Sequence, residues 1–561
     1  MQRIVHVLII LFLLSTIVQS QETGINPREI TSAVVEIETS GKIHIPDGID
    51  EITYLQTFPL EDESQRILSF NSSAEHTIKT DSQGNREIVF TWISPKSGIL
   101  DYSIKMQIER KFPADVTSTE SEAEEYLKNS GNLTKNDDKI RSKAAEVTSG
   151  VNNDLIKAAK LSKWVNENVL YDLNLSSVEN NASWVFENKR GVCDELSHLF
   201  IAMARSQDIP ARDVTGFVYN GIDWNAHAWA EVYCDGRWIS FDPTYNEPGF
   251  VDGTHIVFSR DSDNARIMEG MQWSGRRVGE LKNAWRADSE KIGGRVIGRV
   301  KEGVYNEKNE TINFLEINKT KIIDARLDFY DPNVGENTVV NATLKLENLI
   351  NTPIIGTFDV FTSNKIKVNY SPVDRIFYLE PYGKENLELN FEVPGMEDKN
   401  AVYLFPVVVK TFPYAIAGAN LSVSTNIIAG VSIILGGEVL AGVDVINHNP
   451  YAGELIIGAC MEDKAKKSGN CMEKTANIAG NSNKTLEFTF DVQEGNYTLF
   501  VKAESGGSFD EFRRDVEIKH SSSPWELVDV PYIKGFILDE FSIIVFLIAA
   551  ITGVILLKKF K

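Results

Sequence analysis

The chain has 561 residues, more than one hydrophobic core can organise, so several domains are expected. Its apolar content of 42% and its charged content of 24% are ordinary for globular protein. The formal net charge of −22 argues against a nucleic-acid binder, because no basic surface offsets the repulsion of phosphates.

Apolar segments lie at both ends of the sequence. Residues 1–20 contain Arg3 and then an apolar stretch to Val18, which is the form of a secretion signal; an uncleaved anchor is the alternative. Residues 541–557 are largely apolar and just long enough to span a bilayer, and a buried core helix is the alternative. The lysines of the tail at 558–561 predict that this tail is cytoplasmic and that the bulk of the chain is extracellular.

Glycosylation sequons and cysteine usage fit an extracellular location. Cys460 and Cys471 flank a polar loop and are candidates for a disulfide, with two free thiols as the alternative. Cys193 and Cys234 then remain. The Asn-x-Ser/Thr sequons, which favour a surface glycoprotein, are Asn71, Asn132, Asn174, Asn181, Asn309, Asn318, Asn341, Asn369, Asn420, Asn483 and Asn496.

Composition and periodicity divide the rest of the chain. Residues 21–117 alternate apolar and polar side chains and predict an N-terminal β-sandwich. An acidic helix start at 119–125 and an amphipathic helix over 153–169 open a second domain, at 118–300. Evenly spaced strands then predict two immunoglobulin-like sandwiches, at 301–418 and 419–520, followed by a linker at 521–540.

The second domain contains a cysteine that precedes a helical pattern. Cys193 comes before apolar residues at helical spacing, and Pro210 ends that pattern. At a helix N-terminus, the dipole and free N–H groups favour a thiolate and can stabilise an oxyanion. We therefore interpret Cys193 as a candidate nucleophile.

A predicted hairpin follows, over residues 227–244. A two-residue turn, Asp235-Gly236, sets a register in which Cys234 pairs with Arg237 and Trp229 pairs with Asp242. His227 and Asp242 then share one face as diagonal neighbours, within reach of each other. Cys234 points to the opposite face and is expected to be a small buried hydrophobe.

Each of these residues also has an ordinary structural interpretation. A single cysteine, histidine or Asp-Pro is usually structural, and zinc is a further alternative, although no Cys-x-x-Cys or His-x-x-x-His spacing supports it. His198 is off the helix face of Cys193 and is expected at the surface. Trp224, Trp229 and Trp238 could wall a substrate channel, with core packing as the alternative for at least two of them.

Several motifs occur together and in order. They are Gly191-Val192-Cys193, Ile209-Pro210-Ala211-Arg212, Val214-Thr215-Gly216, His227-Ala228-Trp229-Ala230-Glu231-Val232, and Trp238 followed by Asp242-Pro243-Thr244. Together they resemble the core of the transglutaminase-like superfamily, in a membrane-anchored surface form of the prokaryotic or archaeal type. The resemblance implies a papain-like α+β core, made of a helix bundle and an antiparallel sheet, within a multidomain chain. It also implies that Cys193 is the nucleophile, His227 the base and Asp242 the orienting group.

This resemblance implies an enzyme that acts on amide or peptide carbonyls through a thioester, with hydrolysis or transfer to an amine as the outcome. Its expected partners are a protein or peptide substrate at the cell surface and, through the C-terminal helix, the membrane; no nucleic acid is expected. Animal transglutaminases depend on calcium, but no EF-hand loop is present, so neither a metal nor a cofactor is inferred. The alternative is a non-catalytic surface adhesion or wall-binding protein that uses this domain as a scaffold.

Overall fold

The computed structural model describes most of the chain between Ile25 and Leu538. The described ranges are 25–112, 116–117, 123–127, 137–262, 265–275, 278–288, 296–297, 304–372, 374–397, 401–425, 427–435, 438–449, 451–466, 468–505, 508–519, 526–530 and 535–538. The predicted signal at 1–20, the predicted transmembrane segment at 541–557, the tail at 558–561 and the sequon at Asn132 lie outside them. Within these ranges, no helix has both the length and the apolar character needed to cross a membrane.

Six strands open the described chain. The alternation of buried and exposed residues along the longest of them explains why they form the two halves of a sandwich. The strands are β1 (Ser32–Ile45), β2 (Ile49–Phe58), β3 (Gln65–Ser72), β4 (His76–Thr80), β5 (Arg86–Ile93) and β6 (Gly98–Lys111).

The next part of the chain holds four α-helices and an antiparallel sheet in the order β13-β10-β11-β12-β7. The helices are α1 (Asp138–Val147), α2 (Asp154–Asn168), α3 (Ala182–Asn188) and α4 (Cys193–Arg205). The strands are β7 (Val116–Thr117), β8 (Leu170–Tyr171), β9 (Arg190–Gly191), β10 (Ala211–Tyr219), β11 (Trp224–Cys234), β12 (Arg237–Phe241) and β13 (Ile256–Asp261).

Four further strands return to the N-terminal sandwich. They are β14 (Met268–Gly275), β15 (Val278–Asp288), β16 (Val296–Ile297) and β17 (Tyr305–Asn318). β17 pairs with β1, and β14 pairs with β2. The predicted boundary at 300 is therefore wrong, and the first domain is discontinuous in sequence, because residues assigned to the second and third domains complete both of its sheets. A local pattern of apolar and polar residues does not reveal pairing between strands so far apart in the sequence.

The C-terminal half consists of sheets that share cores in pairs. The first pair, β18-β20-β24-β22 and β19-β26-β25-β21-β23, encloses one apolar cluster. The evenly spaced strands predicted for this part of the chain are present. The strands are β18 (Ile323–Phe329), β19 (Asn333–Gly335), β20 (Thr338–Asn348), β21 (Ile354–Phe361), β22 (Lys367–Tyr370), β23 (Ile376–Leu379), β24 (Lys384–Val393), β25 (Ala401–Phe412) and β26 (Ala415–Ser424).

The second pair of sheets encloses another apolar cluster. Cys460 and Cys471 lie opposite each other on neighbouring strands and are joined by a disulfide. The predicted linker at 521–540 is not wholly irregular, because β34 pairs with β27 and β35 pairs with β25. The strands are β27 (Ile428–Leu435), β28 (Val439–Asn447), β29 (Gly453–Asp463), β30 (Ser468–Ile478), β31 (Ser482–Phe490), β32 (Gly495–Ser505), β33 (Ser508–Ile518), β34 (Glu526–Val530) and β35 (Gly535–Leu538).

The central sheet is covered on both faces. Ala230, Val232 and Phe241 belong to the same apolar cluster as the buried residues of α2 and α4. Phe217 and Ile256 instead belong to the core of the N-terminal sandwich. A sheet buried on both faces is held in place by its neighbours, so the residues that it carries are fixed relative to the rest of the chain.

A buried ion network joins the central sheet to the N-terminal sandwich. The Glu231 carboxylate contacts Arg212 Nη2 at 2.6 Å and Arg260 Nε at 3.0 Å. Arg260 Nη2 also contacts Asp62 Oδ2 at 2.6 Å. Because each of these buried charges has a partner, the interface does not leave an isolated charge in a low dielectric.

Gly216 allows β13 to approach β10 closely. A Cβ built at this position would lie 1.8 Å from the backbone oxygen of Ile256. We therefore expect Gly216→Ala to lower the free energy of unfolding by roughly 2 kcal/mol or more, because backbone must move to admit the methyl group. Denaturant unfolding followed by tryptophan fluorescence measures this change.

Gly458→Ala is the matched control, since a Cβ there meets no atom within 4 Å. An unfolding midpoint for Gly216→Ala equal to that of the control would contradict the close approach.

Candidate active site

Cys193 is the first residue of α4. The helix start is closed by the Glu195 carboxylate, which accepts the Val192 N–H at 2.9 Å. Just before it, β9 pairs in parallel with β8, so Tyr171 lies opposite Gly191. The predicted position of Cys193 at a helix N-terminus agrees with the structure.

The peptide group of Ala228 connects Cys193 to β11. The Ala228 N–H donates to the Cys193 sulfur, and the Ala228 carbonyl accepts the Ser197 hydroxyl at 3.2 Å. Because Ala228 follows His227 directly, these two bonds hold the first turns of α4 against the part of the strand that carries the histidine.

The thiol is protonated in the resting site. Burial raises the pKa of Cys193, and the Asp194 carboxylate, 3.4 Å from the sulfur, raises it further; the Ala228 N–H opposes both effects and is outweighed. Burial and Asp194 therefore oppose the thiolate that the helix end is expected to favour. A helix terminus carries only about half a charge, and it acts here against desolvation and a full negative charge.

His227 and Asp242 form a buried pair, with His227 Nε2 2.7 Å from Asp242 Oδ2. The predicted turn and the pairing of Cys234 with Arg237 are present. The strand ends earlier than predicted, at Phe241, and Asp242 instead forms a bridge with Glu247. The diagonal placement of His227 and Asp242 survives this difference because the ladder is in register up to Ala230 and Phe241.

Backbone amides hold the other oxygen of Asp242. Oδ1 accepts the N–H groups of Thr244 at 2.7 Å and Tyr245 at 3.1 Å. Burial alone would raise the pKa of Asp242, but the charges and hydrogen bonds of His227 and His255 outweigh it and hold this pKa well below its usual range. Asp242 is therefore ionised, and it keeps the proton of His227 on Nε2.

His255 is a site residue that the sequence analysis missed. It is fully buried at the start of β13, and its Nε2 lies 3.2 Å from Asp242 Oδ2. Its Nδ1 lies 3.3 Å from Asp252 Oδ1. The available signal was the apolar run at 256–258, which predicts a central strand beginning beside this histidine.

Two tyrosines lie beside the thiol. Tyr171 interacts with the Cys193 thiol, and 44% of this residue is exposed. The Tyr245 ring centroid lies 5.0 Å from that of His227. Burial, followed by the neighbouring charges, raises the pKa of both phenols, so both remain protonated donors. Neither tyrosine was identified as a site residue from the sequence.

The three tryptophans proposed as channel walls are core residues. The exposed fractions of Trp224, Trp229 and Trp238 are 4%, 0% and 2%, so none presents its ring to a solvent-filled channel. Trp224 packs in the N-terminal sandwich core. Trp238 instead lies beneath the Arg212 guanidinium, at 4.0 Å.

The other two polar candidates are buried. Burial raises the pKa of Cys234 to about 12, which fits the predicted role of a small hydrophobe. His198 was expected at the surface, but only 5% of it is exposed, and its Nε2 contacts Asp213 Oδ2 at 3.4 Å. The helix that carries it is enclosed on nearly every side, which periodicity alone did not predict.

Two groups of buried side chains are close enough to be considered as cation sites: His227, Asp242 and His255, and Glu247, Asp252 and His255. His255 belongs to both. Each of its ring nitrogens lies against a different carboxylate oxygen, so hydrogen bonds from a doubly protonated ring would satisfy both carboxylates. The donor set therefore fits a hydrogen-bonded network better than a metal.

A family model described as the transglutaminase-like superfamily matches residues 141–243. Among curated proteins, the uncharacterized protein YebA of Bacillus subtilis is 28% identical over 148 residues, which are 23% of this chain and 20% of that protein. The uncharacterized protein ML0607 of Mycobacterium leprae is 24% identical over 128 residues, 21% of this chain and 45% of that protein. The chain thus spans less than half the length of these two relatives.

Among solved structures, "a Putative Cysteine Protease from Cytophaga hutchinsonii" covers 50% of this chain and 98% of its own, with 18% identity and a TM-score of 0.35. The periplasmic domain of TgpA from Pseudomonas aeruginosa covers 40% of this chain and 85% of its own, with 16% identity and a TM-score of 0.24.

Asp194 provides a test of the thiol's environment. Because its carboxylate raises the pKa of Cys193, Asp194→Asn lowers that pKa and increases the thiolate fraction at any pH below it. We expect iodoacetamide to alkylate Cys193 about three- to tenfold faster at pH 7.5 in the variant. The rate is measured by mass spectrometry of the peptide that carries Cys193.

Glu187→Gln removes an exposed carboxylate from α3 and serves as the control. An alkylation rate in Asp194→Asn that stays at the control value would contradict the electrostatic explanation.

Proposed function

The chain belongs to the transglutaminase-like superfamily through residues 141–243, and we propose that it is a thiol enzyme that acts on amide or peptide carbonyls. One observation carries the proposal: the pair His227–Asp242, at 2.7 Å, stands next to the peptide group that binds the Cys193 sulfur. A nucleophile, a base and a group that orients the base are the parts that acyl transfer requires.

In the first step, the Cys193 sulfur attacks the carbonyl carbon while His227 takes the thiol proton. Asp242 occupies Nε2 of His227, which leaves the lone pair of Nδ1 to accept that proton. Since the resting thiol is protonated, this transfer accompanies the attack. The Tyr171 hydroxyl, which interacts with the thiol, is the proposed donor to the developing oxyanion.

In the second step, the imidazolium of His227 protonates the departing amine, and a thioester forms on Cys193. Water, deprotonated by His227, then attacks the thioester and releases a carboxylic acid and the thiol. A lysine amine in place of water would give an isopeptide bond. We propose hydrolysis as the main outcome, because Cys193 is only half-buried and Asp194 beside it is exposed, so water reaches the thioester.

We also propose that the enzyme faces the outside of the cell. The signal-like segment at 1–20, the apolar run at 541–557 and the lysines that follow it support a single-pass anchor with a short cytoplasmic tail. The disulfide between Cys460 and Cys471 is consistent with an oxidising compartment. The substrate would then be a protein or peptide at the cell surface.

A non-catalytic surface protein is the second candidate. The raised pKa of Cys193 favours it, because a protonated thiol is a poor nucleophile without help from a base. The large share of the chain in three sandwiches also suits adhesion. The two candidates differ in what happens when Cys193 is removed.

The proposed chemistry predicts that Cys193→Ala, in the full 561-residue chain, lowers the hydrolysis of glutaminyl or peptide substrates by about 10³-fold or more. Release of ammonia or amine measures hydrolysis, and incorporation of a labelled amine measures transfer. Because the resting thiol is protonated, iodoacetamide at neutral pH is expected to label Cys193 only with the help of His227, so His227→Ala lowers the labelling rate.

Cys234→Ala is the matched control and is expected to retain both labelling and activity, since Cys234 is buried away from the site. A labelling rate of Cys193 that His227→Ala leaves unchanged, together with equal activities of Cys193→Ala and the parent chain, would favour the non-catalytic candidate.

The anchor is tested by truncation in cells. A stop codon after Asp539 removes the apolar run and is expected to release the chain into the medium, because the described strands end at Leu538. A stop codon after Leu557 removes only the lysine tail and is expected to leave the chain with the membranes. Immunoblots of medium and membrane fractions separate the two, and retention of the shorter chain in membranes would argue against the anchor.

A further inference from the structure

Two imidazoles share one carboxylate oxygen in the site. Asp242 Oδ2 lies 2.7 Å from His227 Nε2 and 3.2 Å from His255 Nε2. The mechanism above uses the first contact and has no role for the second. All three side chains are buried, so the second contact is an internal feature of the site.

Each ring nitrogen of His255 lies beside a different carboxylate. Its Nε2 faces Asp242, and its Nδ1 lies 3.3 Å from Asp252 Oδ1. Carboxylates accept hydrogen bonds, so a ring held between two of them donates from both nitrogens and bears a full positive charge. The Thr254 N–H at 2.8 Å and its hydroxyl at 2.6 Å also bind Asp252 Oδ1, which fixes that carboxylate in place.

The surroundings of His255 favour this charge. Burial alone would lower its pKa, but Asp252 and Asp242 outweigh burial and raise the pKa to about 10. Glu247 contacts Arg28 at 3.7 Å, and burial together with Asp252 raises its own pKa well above the usual range. The Arg110 guanidinium, on β6, interacts electrostatically with the Asp252 carboxylate. The rings around His255 belong to His227, Trp229 and Tyr245.

We propose that His255 is a positioning residue: as an imidazolium clamped between Asp252 and Asp242, it holds Asp242 ionised and turned toward His227. The proposal rests on the proposed function, because it assigns His255 a part in the working of the Cys193–His227 pair. His255 does not touch the reacting atoms. It acts through Asp242, and it is held in turn by Asp252.

The positive charge on His255 predicts the direction in which the pH–reactivity profile of Cys193 moves when that charge is removed. The ring centroids of His227 and His255 are 5.9 Å apart. A cation at this distance favours the deprotonated form of groups around it. Removal of this positive charge therefore moves both the acid and the alkaline limb of the Cys193 pH–reactivity profile to higher pH. A residue that served only to fill space would change the height of the profile and leave its limbs in place.

The test is His255→Gln in the full chain, followed by iodoacetamide alkylation of Cys193 between pH 5 and pH 10. Glutamine keeps a donor for Asp242 and removes the charge. We expect both limbs to move upward by about one pH unit and the rate at pH 6 to fall about tenfold. His198→Gln is the matched control, because His198 is also buried against a carboxylate, Asp213, and does not contact Asp242; its limbs are expected to stay at the parent values.

A second measurement keeps the proposal testable if His255→Gln does not fold. Nitrogen-15 spectra of the histidine rings of the parent chain at pH 8.5 are expected to contain one ring with both nitrogens protonated, retained in His198→Gln. Absence of such a ring overturns the proposal. So does a folded His255→Gln whose limbs coincide with those of the parent.

Different results would contradict the proposed function and the role of His255. If Cys193 in the parent chain reacts like a small free thiol at every pH, there is no assisted thiol for His255 to support, and both ideas fall. If the parent shows an assisted profile and His255→Gln does not displace it, only the role of His255 is lost.

Discussion

A buried, charged carboxylate at Asp242 is the constraint on which the site depends. A carboxylate that is taken out of water must regain its hydrogen bonds, and here four donors supply them: two backbone amides of the following loop and two imidazoles. These donors come from β11, from the start of β13 and from the segment directly after β12. The need to satisfy one anion therefore fixes where three strands and a loop stand relative to one another.

The other domains serve the same geometry. β13 can approach β10 because Gly216 lacks a side chain, and the N-terminal sandwich covers the face of the sheet that carries Phe217. Arg28, from the segment that leads into that sandwich, reaches Glu247 behind the site. The sandwich is itself completed by β14 and β17, which follow the central domain in sequence. The central domain is thus inserted in sequence between the two parts of the first sandwich. Residues of both domains contribute to one apolar cluster.

Local signals in the sequence predicted the parts that depend on local physics. The Asp235-Gly236 turn fixed the pairing of Cys234 with Arg237, and the helical spacing after Cys193 located α4. Both follow from backbone rules that act over a few residues. The evenly spaced strands of the first C-terminal sandwich were predicted for the same reason.

Contacts distant in sequence were missed. His255 lies thirteen residues beyond Asp242, past an irregular segment, and nothing periodic connects the two. The return of β14–β17 and the burial of His198 also depend on which surfaces meet in space. The tryptophans were misplaced in the same way, because an aromatic residue near a motif packs into a core or lines a site according to its tertiary surroundings.

The protonated state of Cys193 changes how the site is understood. A thiolate is the form that oxidants attack, so a free thiolate outside the cell would be lost to disulfide or sulfenic acid. Burial and Asp194 keep Cys193 in the less reactive form, and in the proposed mechanism His227 takes its proton when a carbonyl is bound. In the proposed location, this arrangement reconciles an accessible thiol with an oxidising environment. In the proposed mechanism, the reactivity of the thiol then depends on His227, whose orientation depends on Asp242 and on the groups that hold Asp242.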